Sequence, residues 1–213
     1  MGSTRTLTHT NGTINLNSKT LTVGTAYTTA TGTKNLTFNG GTLVCPTAST
    51  TAFNNAVPTG FTTTAGTGTG KISMTAATAK TFVGGGSTYN CTLSNDGAGA
   101  LTISGSNTFT TLANGVQPTT FTFTSATTQT VTNFNVSGTS GNLVTINSST
   151  AGSAATLSKS NGSVSANYLS IQDSTATGGA TWYAGANSTN VSGNTGWIFS
   201  SVVTANGNFL AFM

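Results

Sequence analysis

Charge is scarce in this chain. Its 213 residues include six lysines and arginines, two acids (Asp96 and Asp173) and a single histidine, His9. A glycosidase needs a carboxylate pair, a metal centre needs clustered His, Cys, Asp or Glu, and a triad needs a base beside its nucleophile. Two distant acids and one histidine supply none of these, so the expectation is a non-enzymatic protein with no metal and no cofactor. No stretch approaches the roughly 18 apolar residues of a membrane span. Met1 to Thr20 holds Arg5 and Lys19 but no apolar signal-peptide core, which predicts a protein made and used outside the general secretory route, with no membrane partner. Arg5, His9, Lys19 and Lys34 make the N-terminal portion mildly basic. That is too sparse for nucleic acid and reads as a surface facing an acidic shell, with His9 a solvated side chain.

What is present is threonine, fifty residues of it, with 27 glycines and much Asn, Ser and Ala. Leu, Ile, Val and Phe make up roughly a fifth of the chain, near the level that warns of disorder. That warning also requires high net charge, and the net here is only +4. Thr, Val, Ile and Phe favour strands, so the composition predicts an ordered all-β protein.

The order in which these residues come is more informative. Short runs of alternating apolar residues recur in pairs: Ile14–Leu16 with Leu21–Val23, Leu36–Phe38 with Leu43–Cys45, and Phe61–Thr63 with Ile72–Met74. Next come Cys91–Leu93 with Leu101–Ile103, Phe109–Thr111 with Phe121–Phe123, Phe134–Val136 with Leu143–Ile146, and finally Tyr168–Ile171. Period-two alternation marks strands with one buried face, and a unit recurring every 20 to 34 or so residues marks a stacked solenoid. Asn39-Gly40-Gly41, Asn95-Asp96-Gly97, Asn114-Gly115 and the Gly138–Gly141 stretch punctuate the pairs. These units predict a β-helix of seven coils, each strand stacking on those of neighbouring coils, a rod of about 34 Å at about 4.8 Å per step. β-Sandwich domains are the alternative, since they too need many short strands.

A solenoid must close its ends. Residues 179–213 hold both tryptophans and end in an apolar tail, so they are expected to form a cap. Trp182, Tyr183, Trp197, Phe209 and Phe212 are its candidate contact residues, either as an apolar plug or as a platform for sugars. Residues 91–178 are then the regular coils, and 1–90 an irregular N-terminal β region or small docking domain.

Other constellations are weaker. Asp96 and Asp173 fall about three units apart, roughly 14 Å, too far for paired hydrolytic carboxylates. Asn95-Asp96-Gly97 lacks the second carboxylate of a calcium loop. Cys45 and Cys91 lie two steps apart, about 9.6 Å, beyond disulfide reach, and are expected to be free thiols. Thr-x-Thr triplets suggest an ice-binding ladder, but they drift among first runs, second runs and turns, which argues for ordinary strand threonine.

The segments SGTSGNLVTINSS, LSKSNGSVSANYLSIQDSTATGGATWYAGANSTN and GNTGWIF, within residues 133–199, resemble the end of β-helical surface proteins of tailed phages and environmental bacteria. The resemblance implies a right-handed parallel β-helix closed by a C-terminal cap, in a virion structural or cell-surface protein. The bacterial members are longer and carry export signals. The expectation is therefore a phage capsid-decorating, cement or fibre protein, homotrimeric by analogy, located on the virion and partnered by the major capsid protein or other virion proteins. A receptor-binding adhesin engaging a glycan is the first alternative and an ice-binding protein the second.

Overall fold

The protein is described here from a computed structural model covering residues 5–48 and 51–202. The tail residues Phe209 and Phe212 lie outside the described residues. The described chain contains strands and no helix, and every ladder between those strands is parallel. The result is a right-handed parallel β-helix of about eight turns. A sandwich would need antiparallel hairpin ladders, and the only antiparallel pairings among the described residues are isolated bridges within the turns at Thr139–Asn142 and Thr150–Ser153.

The longest sheet takes one strand from each coil, in chain order. It runs Leu7–His9, Tyr27–Thr29, Phe53–Asn54, Lys80–Val83, Leu101–Ser104, Thr119–Phe123, Val144–Ser148, Leu169–Gln172 and Thr189–Ser192. A second sheet runs Thr20–Thr22, Thr42–Cys45, Lys71–Met74, Thr88–Asn95, Thr108–Asn114, Thr128–Asn135, Ala155–Ser158 and Ser174–Thr177. Short third sheets close the triangle at each end. Gly12–Asn15, Lys34–Thr37 and Phe61–Thr64 form the N-terminal one; Ser163–Ser165, Thr181–Tyr183 and Trp197–Ile198 form the C-terminal one.

The core is a set of files along the axis. In the long sheet Leu7, Tyr27, Phe53, Phe82, Ile103 and Phe123 stand in register. In the second sheet Leu21, Leu43, Ile72, Leu93, Leu112 and Phe134 do the same. Parallel pairing places like residues one rung apart, so the rings of Tyr27 and Phe53 stack at 5.0 Å and those of Phe53 and Phe82 at 4.4 Å. Such ring pairs add about 0.5–1.5 kcal/mol beyond the burial of their area. Corners turn on residues that tolerate positive φ, as at Asn39 (44°) and Gly40 (75°) between two strands of the second coil. Asn95-Asp96-Gly97 and Asn114-Gly115 turn without positive φ, and Asn95 is instead fully buried, donating to Thr119 Oγ1 at 2.7 Å.

Two features of the repeat differ from the sequence reading. There are about eight turns rather than seven, because Leu7–His9, Tyr27–Thr29, Phe53–Asn54 and Lys80–Val83 are strands with polar interior neighbours that hide the alternation. The paired runs also change side along the chain. The first runs starting near residues 14, 36 and 61 belong to the N-terminal short sheet, those near 91, 109 and 134 to the second sheet, and that near 168 to the long sheet. The shift occurs where a single long strand, Thr88–Asn95, with its register slipping between Tyr89 and Thr92, replaces two shorter ones. The division expected after residue 90 falls inside that strand. Likewise, Trp182 and Trp197 sit on the last rungs of a sheet that begins at Ser163.

Candidate functional site

The C-terminal aromatics were candidates for a sugar platform, and burial corrects this for both tryptophans. Trp182 is 1% exposed and Trp197 9%. Val164, Trp182 and Trp197 occupy one register position on successive rungs. The two indoles meet edge-on at 5.2 Å, and Phe134 packs against them at 5.4 and 6.0 Å. Each indole N–H is satisfied inside the protein: Trp182 donates to the Thr177 carbonyl at 3.0 Å and Trp197 to Ser174 Oγ at 3.1 Å. Neither ring face is open to a ligand.

Tyr183 behaves differently. Strand alternation turns it away from its buried neighbour Trp182, and it is half-buried beside a cleft of about 190 Å³. The cleft is lined by Ser137, Ser165, Ala166, Asn167, Tyr183, Gly185, Ser201 and Val202. It crosses four successive coils at one corner, three rung steps or about 14 Å along the axis. Its geometry depends on Asn167. The Asn167 backbone N–H donates to Ser137 Oγ at 3.2 Å, and its side-chain Oδ1 accepts from the N–H of Tyr168 at 3.0 Å and of Asn187 at 3.1 Å. Gly185, at φ +88°, lets the adjacent rung close in, since a Cβ there would lie 2.5 Å from the Ala166 carbonyl and from Asn167 Oδ1.

The two acids are occupied and far apart. Asp96 directly follows the strand Thr88–Asn95, beside Lys71, whose Nζ lies 2.6 Å from Oδ2; Ser73 also donates to Oδ2, and Ser94 donates to Oδ1 at 2.6 Å. Burial alone would raise its carboxyl. The hydrogen bonds from Lys71, Ser73 and Ser94, together with the lysine charge, hold it below its usual range instead. Asp173 is buried, accepting from the Gly152 N–H at 3.0 Å. The strands that flank them are three steps apart in the long sheet and four in the second, about 14 to 19 Å along the axis. Among the described residues no three His, Cys, Asp or Glu side chains cluster as metal ligands. Cys45 and Cys91 are free and buried.

The basic N-terminal surface is also smaller than expected. His9 is buried rather than solvated: its Nε2 lies 3.0 Å from the Gly12 carbonyl and its Nδ1 2.6 Å from Tyr27 Oη. A carbonyl only accepts, so Nε2 carries the proton and Nδ1 accepts from the tyrosine hydroxyl. Lys34 is 0% exposed, donating to the carbonyls of Gly32 (2.8 Å) and Thr59 (3.0 Å). Lys80, 1% exposed, does the same to Ala76, Gly99 and Gly97 at 2.9, 2.7 and 3.4 Å. The Lys80 amine gathers turn carbonyls that are themselves buried, which is why an otherwise costly charge is tolerated there. Sequence spacing carried no sign of this; the signal, in retrospect, is a lysine at an interior position of a strand.

The outer face of the long sheet answers the question raised by the threonine triplets. Thr81, Thr102, Thr122 and Asn147 form one outward file in register, and Thr120, Thr145, Ser170 and Thr189 form another. The triplets themselves stay on different faces, Thr20-Leu21-Thr22 and Thr128–Thr132 on the second sheet, Thr120–Thr124 at the long sheet and Thr67-Gly68-Thr69 between strands, so these files draw mainly on other residues. That face is a grid of uncharged hydroxyls and amides, about 4.8 Å between strands and about 6.6 Å between alternate residues of a strand.

No family model, curated protein or solved structure matches the chain.

Proposed function

We propose that this protein is a non-enzymatic structural component of a virus particle, a short rigid rod that decorates a capsid or forms part of a head or tail fibre. The observation that carries the reading is the rod's construction. Eight coils share one continuous apolar core, the exterior is coated with uncharged Thr, Ser and Asn, and two of the six basic side chains, Lys34 and Lys80, are sealed inside. Such a spacer resists proteolysis and needs no chemistry of its own. Its partners are the major capsid protein or other virion proteins, and assembly in threes is carried over from the resemblance to phage β-helical proteins. Many copies on one particle offset weak single contacts.

Immunogold electron microscopy of particles, with antibody raised against the recombinant chain, tests this. Label over the head supports decoration, and label at the tail tip moves the role to receptor binding. Particles free of label overturn the reading. Trypsin supplies a second check: cleavage after Lys34 or Lys80 in the native protein contradicts the sealed rod.

The outward grid of the long sheet favours a second reading, ice binding, because a regular array of uncharged hydroxyls and amides offers water hydrogen-bonding groups at repeated spacings. Thermal hysteresis that disappears in Thr122→Lys supports it; freezing behaviour like that of an inert protein removes it.

A further inference from the structure

We infer that the cleft beside Tyr183 is a binding site for a single neutral sugar ring, such as the terminal residue of a glycan. The inference goes beyond the particle reading and does not depend on it. Four observations converge. The first is the chemistry of the wall. Its polar members are Ser137, Ser165, Asn167, Tyr183 and Ser201, and among the described residues no Lys, Arg, His, Asp or Glu lines it. A phosphate or carboxylate ligand would find no counter-charge there, whereas an apolar ligand would strand five polar side chains against it.

The second observation is that the hydrogen-bonding groups are set in advance. Backbone N–H groups can only donate, so the two that meet the Asn167 side chain identify the atom facing them as its oxygen and fix the orientation of the amide. Its Nδ2 then presents two protons with no protein acceptor among the described residues. Ser137 Oγ accepts from Asn167 N–H and keeps its own proton to donate. Ser165 Oγ and Tyr183 Oη likewise have no protein partner among the described residues. An array of fixed amide donors and adaptable hydroxyls suits a ligand whose groups are themselves hydroxyls, each able to donate and accept.

Third, the half-buried ring of Tyr183 supplies the apolar element. The electron-rich face of an aromatic ring attracts weakly positive C–H groups, which a pyranose presents on one side. Fourth, the size is selective. A volume of about 190 Å³ corresponds to about six waters at about 30 Å³ each, enough for one ring and too small for a buried oligosaccharide. Gly185 lets its rung approach Ala166 and Asn167 at the cleft wall.

Saturation-transfer NMR of the full chain against a panel of neutral hexoses and N-acetylhexosamines, with glucuronic acid as the charged control, provides the test. At least one neutral sugar is expected to bind and glucuronic acid is not. Ser165→Trp, at an exposed strand position, fills the cleft and is expected to abolish the signal with the circular dichroism unchanged. Asn167→Asp keeps the oxygen that both backbone donors need but replaces the free donors with an acceptor, and is expected to weaken binding at least tenfold. Absence of transfer to every neutral sugar overturns the assignment, as does binding that survives Ser165→Trp or binding confined to the charged control. Particle labelling and sugar binding fail separately, because the first is read on virions and the second on purified chain.

Discussion

Alkaline pH should destabilise this fold. Four acidic groups lie in the core. Burial pushes the Cys45 thiol from 9.0 up to about 12, and pushes the Cys91 thiol and the phenols of Tyr27 and Tyr89 well above their ordinary values. In the unfolded chain the thiols lose their protons near pH 9 and the phenols near pH 10, while the folded chain keeps them. The unfolded state then binds fewer protons, so stability falls as pH rises. Lys80 acts in the opposite direction. Burial, partly offset by the charge of Asp96, lowers its amine from 10.5 to about 8. Between those values the unfolded chain holds the extra proton, and stability rises with pH.

Each group contributes up to about 1.4 kcal/mol per pH unit within its own window. Stability should therefore climb slightly from pH 8 to 9 and then turn over. From pH 9 to 10 the two thiols outweigh Lys80 by about 1.4 kcal/mol per unit. Above pH 10.5, with the lysine contribution complete and the phenols titrating, the loss steepens to about 5 kcal/mol per unit. Against a domain stability of about 5–15 kcal/mol, that unfolds the protein within one to three units or so. Urea titrations followed by far-ultraviolet circular dichroism from pH 7 to 11 check this, and Cys45→Ala/Cys91→Ala should reduce the steep slope by about 2.7 kcal/mol per unit. A midpoint that is flat or rising through pH 11, or a double variant as steep as the parent, would refute the reasoning.

Other expectations follow from named contacts. Phe82→Ala removes the ring that stacks on Phe53 and meets Tyr89 and Phe109 edge-on, and should cost about 3–5 kcal/mol by thermal or urea unfolding. Lys80→Met should abolish the rise in stability between pH 8 and 9, whatever its effect on the baseline at pH 7. Asp96→Asn should cost less than about 1 kcal/mol through the lost ion pair, because Lys71 is 37% exposed and solvent screens the pair; a salt-dependent loss well above that would show the pair to be shielded. Tryptophan emission should be blue-shifted and poorly quenched by acrylamide, since Trp182 and Trp197 are both buried; ready quenching would restore the open platform.

The comparison of sequence and structure is clearest at three places. The second sheet was legible from Leu21 to Phe134, because a strand with one apolar face alternates strictly and repeats one rung later. The strands at Tyr27–Thr29 and Lys80–Val83 were not, because Thr29 and Lys80 occupy interior positions where the pattern expects apolar side chains. The threonine grid was hidden for another reason: alternation reveals whether a residue points in or out, never which side of the triangle it lies on.

From the amino-acid order alone came the class of fold, the scarcity of chemistry-bearing side chains and the stacking of many similar short strands, since these depend only on local period, turn residues and composition. Tertiary structure decided which residues share a face, how deep each one lies and what each polar group meets. Trp182 left the surface, His9 and Lys34 left the basic patch, and Asn167, Ser165 and Tyr183 came together across coils some 20 residues apart in the chain. In a solenoid neighbours are set by coil length, and coil length varies from unit to unit, so those encounters appear only when the chain is wound.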